Sequence, residues 1–158
     1  MTPVLELRGV SKRFGDHAAV RNVWLAVPEG AFYSLLGPSG CGKTSTLRLV
    51  AGFEEPDAGE ILLAGERLNG RPPYRRNVST VFQNYALFPH LSVRGNIEFG
   101  LRHNGHRSRA EMARRVAQVL ELVRLEGKQD RRPREISGGE RQRVALARSL
   151  VLGPAMLL

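Results

Sequence analysis

The chain has 158 residues, 42% of them hydrophobic and 25% charged, with a formal net charge of +9. This length suits one domain with its own core, and the composition excludes wholesale disorder. Cys41 is the single cysteine, which excludes an internal disulfide or a metal–thiolate cluster. The basic excess is almost entirely arginine, since lysine occurs only as Lys12, Lys43 and Lys128. Arginines are dispersed, with short clusters at 107–115 and 131–134, so a solvated surface is favoured over a nucleic-acid interface. Apolar runs such as 23–27 and 150–152 are too short to cross a bilayer. The N-terminus has no basic stretch followed by an apolar core and cleavage site, so the expected setting is the cytoplasm.

In chain order, Leu5, Leu7 and Val10 open a strand, and residues 19–27 read as a second. Pro28, Glu29 and Gly30 form a turn. Residues 31–36 are a short apolar run that reads as a buried strand before a glycine-rich loop. The pattern is helical over 43–50, with Gly52 as its stop. Strands are expected over 60–63 and 78–83, separated by turns at Gly65 and at Arg71, Pro72 and Pro73. The character then becomes helical, over 92–101 and 109–125. The second of these opens on Ser108 with Glu111 at capping-box spacing. A last helix over 140–152 ends at Gly153 and Pro154, and residues 155–158 begin another apolar run. Strands, then a helical block, then a return to strand make an α/β core with an inserted helical subdomain.

Residues 37–44 match G-x-x-x-x-G-K-[ST] in full, from Gly37 through Pro38, Ser39, Gly40, Cys41 and Gly42 to Lys43 and Thr44. Glycines let successive backbone N–H groups turn inward around a polyphosphate, and the following helix offers its positive end. In that chemistry Lys43 reaches the β- and γ-phosphates and the Thr44 hydroxyl binds Mg²⁺, with Ser45 beside it. Cys41 reads as a small residue tolerated between glycines, in a position where a helix start can activate a thiol.

A second glycine pair follows in Ile136, Ser137, Gly138, Gly139 and Glu140, with Ser137 94 positions after Lys43. Ser137 and Glu140 are spaced as a capping box, and the glycines permit close backbone approach to an anion. This stretch, with the phosphate loop before it and Arg-Val-Ala-Leu-Ala-Arg after it, resembles the signature of ATP-binding cassette proteins. The resemblance covers residues 4–158. It implies the P-loop cassette fold, a mixed sheet with helices plus a helical subdomain, with catalytic core 1–84 and 141–158 and helical subdomain at about 85–140. It implies an ATPase that binds ATP and Mg²⁺ and works as a head-to-tail homodimer, each signature meeting the γ-phosphate held by the other subunit. Gln83 corresponds to the family's glutamine that senses Mg²⁺ and the attacking water, making Lys43 and Gln83 the catalytic candidates. Phe14, 29 positions before Lys43, corresponds to the aromatic that stacks on adenine, though core packing would explain it equally. Residues 85–93 resemble the segment that meets transmembrane permease subunits, and buried core is the alternative there.

Residues 77–100 are most similar to bacterial importer ATPases for polyamines, iron(III), sulfate and sugars, and lean to the polyamine branch. The implied assembly is peripheral on the inner face of the plasma membrane, with a solute-binding protein beyond it. Two departures stand out. Glu140 replaces the usual glutamine and brings a negative charge to a phosphate site. Residues 155–158 resemble the strand that in this family leads to an Asp-Glu pair, and that pair does not occur here. The expectation is therefore a truncated cassette with little activity alone, since general-base assistance is worth roughly 10²–10⁴ in rate. The alternatives are a fragment that binds nucleotide without turning it over, or a nucleic-acid-associated cassette ATPase. Only 54 positions separate Gln83 from Ser137, which leaves no room for the long coiled coil of chromosome-type members.

Overall fold

The computed structural model describes residues 3–103 and 108–158; Met1, Thr2 and residues 104–107, including Arg107 of the first arginine cluster, lie outside the described residues. The chain divides into two compact units, one running to Val78 and including Leu158, the other covering Ser79–Leu157.

The first unit is built on a four-stranded antiparallel sheet in the order β2-β1-β3-β4, from β1 (Pro3–Phe14), β2 (His17–Pro28), β3 (Ala58–Leu63) and β4 (Glu66–Arg67). Alternation drives it: Leu5, Leu7, Val20, Val27, Ile61 and Leu63 are buried. In β1 the buried series passes from Leu7 to Val10, and the ladder to β2 shifts register between these two residues. Helix α1 (Lys43–Ala51) buries Thr46, Leu49, Val50 and Ala51. It stops at Gly52, whose φ of 85° is the left-handed cap, with its N–H on the Leu49 carbonyl. Arg76 closes the same end from outside. Its buried guanidinium donates to the carbonyls of Leu49 (2.7 Å), Val50 (3.1 Å) and Arg71 (2.7 Å) and to Glu55 Oε1 (2.9 Å).

Residues 31–36 do not form the expected strand. They are irregular, with Phe32 97% and Leu36 91% exposed. An apolar run becomes a strand only when neighbouring backbones complete its ladder, and among the described residues none is paired to this one. The strand expected over 78–83 is likewise reduced to β5 (Val78–Ser79).

The second unit is helical: α2 (Val93–His103), α3 (Arg109–Leu122) and α4 (Gly138–Leu150), followed by the two-residue strand β6 (Met156–Leu157). Its core joins Val93, Ile97 and Leu101 of α2 to Val116, Val119 and Leu120 of α3 and Val144 and Ala147 of α4. Ser108 caps α3, accepting the Glu111 N–H at 3.1 Å. Asn96, fully buried, is satisfied by backbone atoms alone: Phe88 N–H at 2.8 Å, and the carbonyls of Phe88, Leu91 and Ser92 at 3.0–3.3 Å.

Candidate nucleotide site

The phosphate loop leads directly into α1. Gly42, at φ 90°, is the residue before the helix, and a side chain there would run into the Ala19 carbonyl of β2. The loop therefore follows a path that only glycine permits, tight against the sheet. Among the described residues the amides of Gly40, Gly42, Lys43 and Thr44 donate to no protein acceptor. These four donors lie at or just before a helix start whose first turn carries no acidic residue. Lys43 folds back over the loop, its Nζ donating to the Gly37 (2.6 Å) and Pro38 (2.7 Å) carbonyls and lying 3.5 Å from Cys41 Sγ. Pro38, Ser39, Gly40, Cys41 and Thr44 are exposed, and Ser45 is half-buried. A cavity of about 320 Å³ beside the loop is lined by Ala18, Ala19, Val20, Gly40, Cys41 and Thr46, among others.

Phe14, at the end of β1, is 45% exposed, so core packing does not account for it. Lys12 Nζ stands 5.6 Å from its ring centroid, and Lys12 is itself fixed by Asp57 at 3.1 Å. Asp57 also accepts the Arg13 N–H at 2.7 Å, and that bond, with Lys12, holds its carboxyl below the usual carboxylate range.

The signature residues and Gln83 belong to the second unit. Ser137 is the N-cap of α4: its Oγ accepts the Glu140 N–H at 3.3 Å, while Glu140 Oε2 accepts the Ser137 N–H at 2.7 Å. Glu140 Oε1 takes the Lys128 ammonium. That ion pair, followed by the Ser137 backbone N–H and then its side chain, lowers the pKa of the Glu140 carboxyl from 4.5 to about 2. Side chains built at Gly138 or Gly139 would meet nothing closer than the tips of Arg141 and Arg143, at 3.8 and 3.9 Å. This chain's own packing thus gives no reason for either glycine. Gln83 is exposed on a turn. Just beyond it Tyr85 and Ala86 adopt positive φ (61° and 44°), and their carbonyls are gripped by Arg148 of α4 at 2.9 and 2.6 Å. Burial lowers the pKa of this guanidinium from its ordinary value. Of residues 85–93, Leu87 packs on the helical core and Val93 is buried, while Phe88 is half-buried and Pro89 and His90 are exposed.

Arg76, Asn96, Lys128 and Arg148 shape these elements in ways the sequence does not announce. Each acts on backbone atoms or a distant side chain, and no spacing announces such a partner.

Residues 20–158 match the family model described as ABC transporter, and the chain belongs to that family. It is 57% identical over 155 residues to the spermidine/putrescine import ATP-binding protein PotA of Nitratidesulfovibrio vulgaris, covering 98% of this chain and 42% of that protein. To PotA of Rubrobacter xylanophilus it is 56% identical over 154 residues, covering 98% and 41%. The chain thus spans about two-fifths of the length of these relatives. The dimeric post-hydrolysis structure of the ATP-binding cassette MJ0796, bound to ADP and Pi, superposes with a TM-score of 0.83 at 31% identity, over 97% of this chain and 72% of that one. CbiO1 from Clostridium perfringens, part of the ABC transporter complex cbiONQ, gives 0.89 at 26% identity, over 99% and 64%. The α/β cassette fold expected from the two glycine motifs is therefore the fold of this chain.

Proposed function

We propose that this chain is the nucleotide-binding part of an importer ATPase subunit that couples ATP hydrolysis to polyamine uptake. The observation that carries the reading is the phosphate loop: four uncommitted amides at an acid-free helix start, cradled where only glycine fits, with a lysine ammonium beside them. That donor set fits a triphosphate. Gly37 through Ser45 would hold it, Lys43 exchanging the loop carbonyls for phosphate oxygens, and Phe14 would offer its open face to adenine. Thr44 and Gln83 present oxygen atoms suited to Mg²⁺, a hard cation that neutralises phosphate charge when bound. Lys43 and Gln83 are the catalytic residues of this reading.

The glycines at 138 and 139 support a site completed between two copies. Glycine in a helical first turn costs stability, and nothing in this chain crowds these positions, so the space suits a ligand carried by a second subunit. Ser137 through Glu140 would meet the γ-phosphate there. In this reading core segments 1–84 and 141–158 bind nucleotide, and the helical subdomain, about 85–140, meets permease subunits through residues 85–93. A solute-binding protein acts beyond them, with the ATPase on the inner face of the plasma membrane. The names of the relatives support polyamine as the solute.

Titration with a fluorescent ATP analogue tests the core of the reading. Lys43→Ala should weaken binding at least about tenfold, since charge-assisted contacts to phosphate are lost. Equal affinity in the variant and the parent would refute it.

A further inference from the structure

The two glycine-rich helix starts differ in charge. The first turn of α1 has no acid, whereas α4 carries Glu140 at its third position. A carboxylate suits a bare helix start, but it repels an anionic ligand arriving at the same place. The structure answers this with one cation. Lys128, half-exposed and 12 positions upstream, pairs with Glu140 Oε1, while Oε2 is turned back onto the Ser137 N–H. The arginines on the helix do not do this work: Arg141 is spent on the carbonyls of Pro133 and Ile136, and the tip of Arg143 lies by Gly139 without an ion pair to Glu140 among the described residues. The neighbouring carboxylate is also committed, Glu135 accepting the Arg132 N–H at 2.6 Å. Lys128 itself sits on a turn held to α2, where Val93 and Arg94 donate to the carbonyls of Arg131 and Gln129 at 2.8 and 2.9 Å.

We propose that Lys128 is a positioning residue of the signature: it cancels the charge of Glu140 and pins that carboxylate into the cap, so that the start of α4 can accept the phosphate of a nucleotide bound by a second copy. This rests on the two-copy site described above. Lys128 touches no nucleotide in the scheme; it acts through Glu140.

The test uses the full chain and two readouts: binding of a fluorescent ATP analogue, and ATP-driven self-association by sedimentation across an ATP series. Lys128→Met should leave analogue binding unchanged and raise the ATP concentration for half-maximal association about fivefold, the scale of one uncompensated surface charge. Lys128→Arg should stay near the parent. Adding Glu140→Gln to Lys128→Met should restore association to within about twofold, because the charge needing a partner has gone. An unaltered Lys128→Met variant would overturn the proposal, as would a double variant as impaired as Lys128→Met alone, which would mean Lys128 acts through the fold. Failure of the parent to bind the analogue would refute the nucleotide-site reading itself. Analogue binding without self-association would refute the two-copy site and this proposal, leaving the phosphate loop untouched.

Discussion

Replacing Arg76 by methionine isolates how the helix behind the phosphate loop is held. The guanidinium is fully buried and makes four hydrogen bonds, three to carbonyls and one to Glu55. Leu49 keeps the Gly52 N–H after the change, and Glu55, half-exposed, returns to water. The carbonyls of Val50 and Arg71 are left without this donor, at about 1–3 kcal/mol each for an unsatisfied buried group. Against this, removing a buried cation relieves its desolvation, the same effect that pulls the Arg76 pKa below its ordinary value. The balance is a loss of about 2–4 kcal/mol. Urea denaturation followed by tryptophan fluorescence reads it, since Trp24 lies in β2 of the same unit. Arg76→Lys should recover less than half, because an ammonium cannot fork across three carbonyls. A loss below about 1 kcal/mol for Arg76→Met would show that desolvation cancels the hydrogen bonds, and would refute the staple.

Gly42→Ala should abolish analogue binding, since the new methyl meets the Ala19 carbonyl and the φ of 90° disfavours a side chain; retained affinity would deny the cradle. Gly139→Ala should raise stability by up to about 1 kcal/mol by helix propensity while weakening ATP-driven self-association, an opposition that a purely structural glycine would not produce. Glu140 has a lowered carboxyl in the folded chain, so its contribution to stability is complete above pH 4.5 and is lost as pH falls toward 2. Urea midpoints at pH 7 and pH 3 should therefore fall further for the parent than for Glu140→Gln, and equal falls would refute the pairing. Asn96→Leu should cost about 2–4 kcal/mol, because the Phe88 N–H and three carbonyls lose their buried partner; thermal melts would show it.

The sequence disclosed local periodicity well. The alternation of Leu5 and Leu7 fell in β1, and Gly52 ended α1 where expected. The last helix, expected from Glu140, begins at Gly138, because glycine hides a first turn whose start is marked by the Ser137 cap. The helix expected to run to 125 ends at Leu122: Arg124 turns to φ 56°, yet Val123 and Leu125 stay in the core, so the apolar period outlasts the helix. Residues 31–36 failed as a strand for a different reason, since a ladder depends on partners that an apolar run cannot specify. The loop glycines, Lys43 and the Ser137–Glu140 box were legible because each is a short-range device. The pairing of Lys128 with Glu140 and the grip of Arg148 on residues 85 and 86 were not, being choices made across 12 and more than 60 positions.

Asn96 holds the loop at residues 88–92 entirely by main-chain atoms. Its amide is indifferent to which side chains that loop displays. The loop's curvature is therefore written in α2, while its outward chemistry is written in the exposed Pro89 and His90 themselves. Such a division lets the exposed residues drift, one substitution at a time, toward a different binding face without the scaffold beneath them being rebuilt.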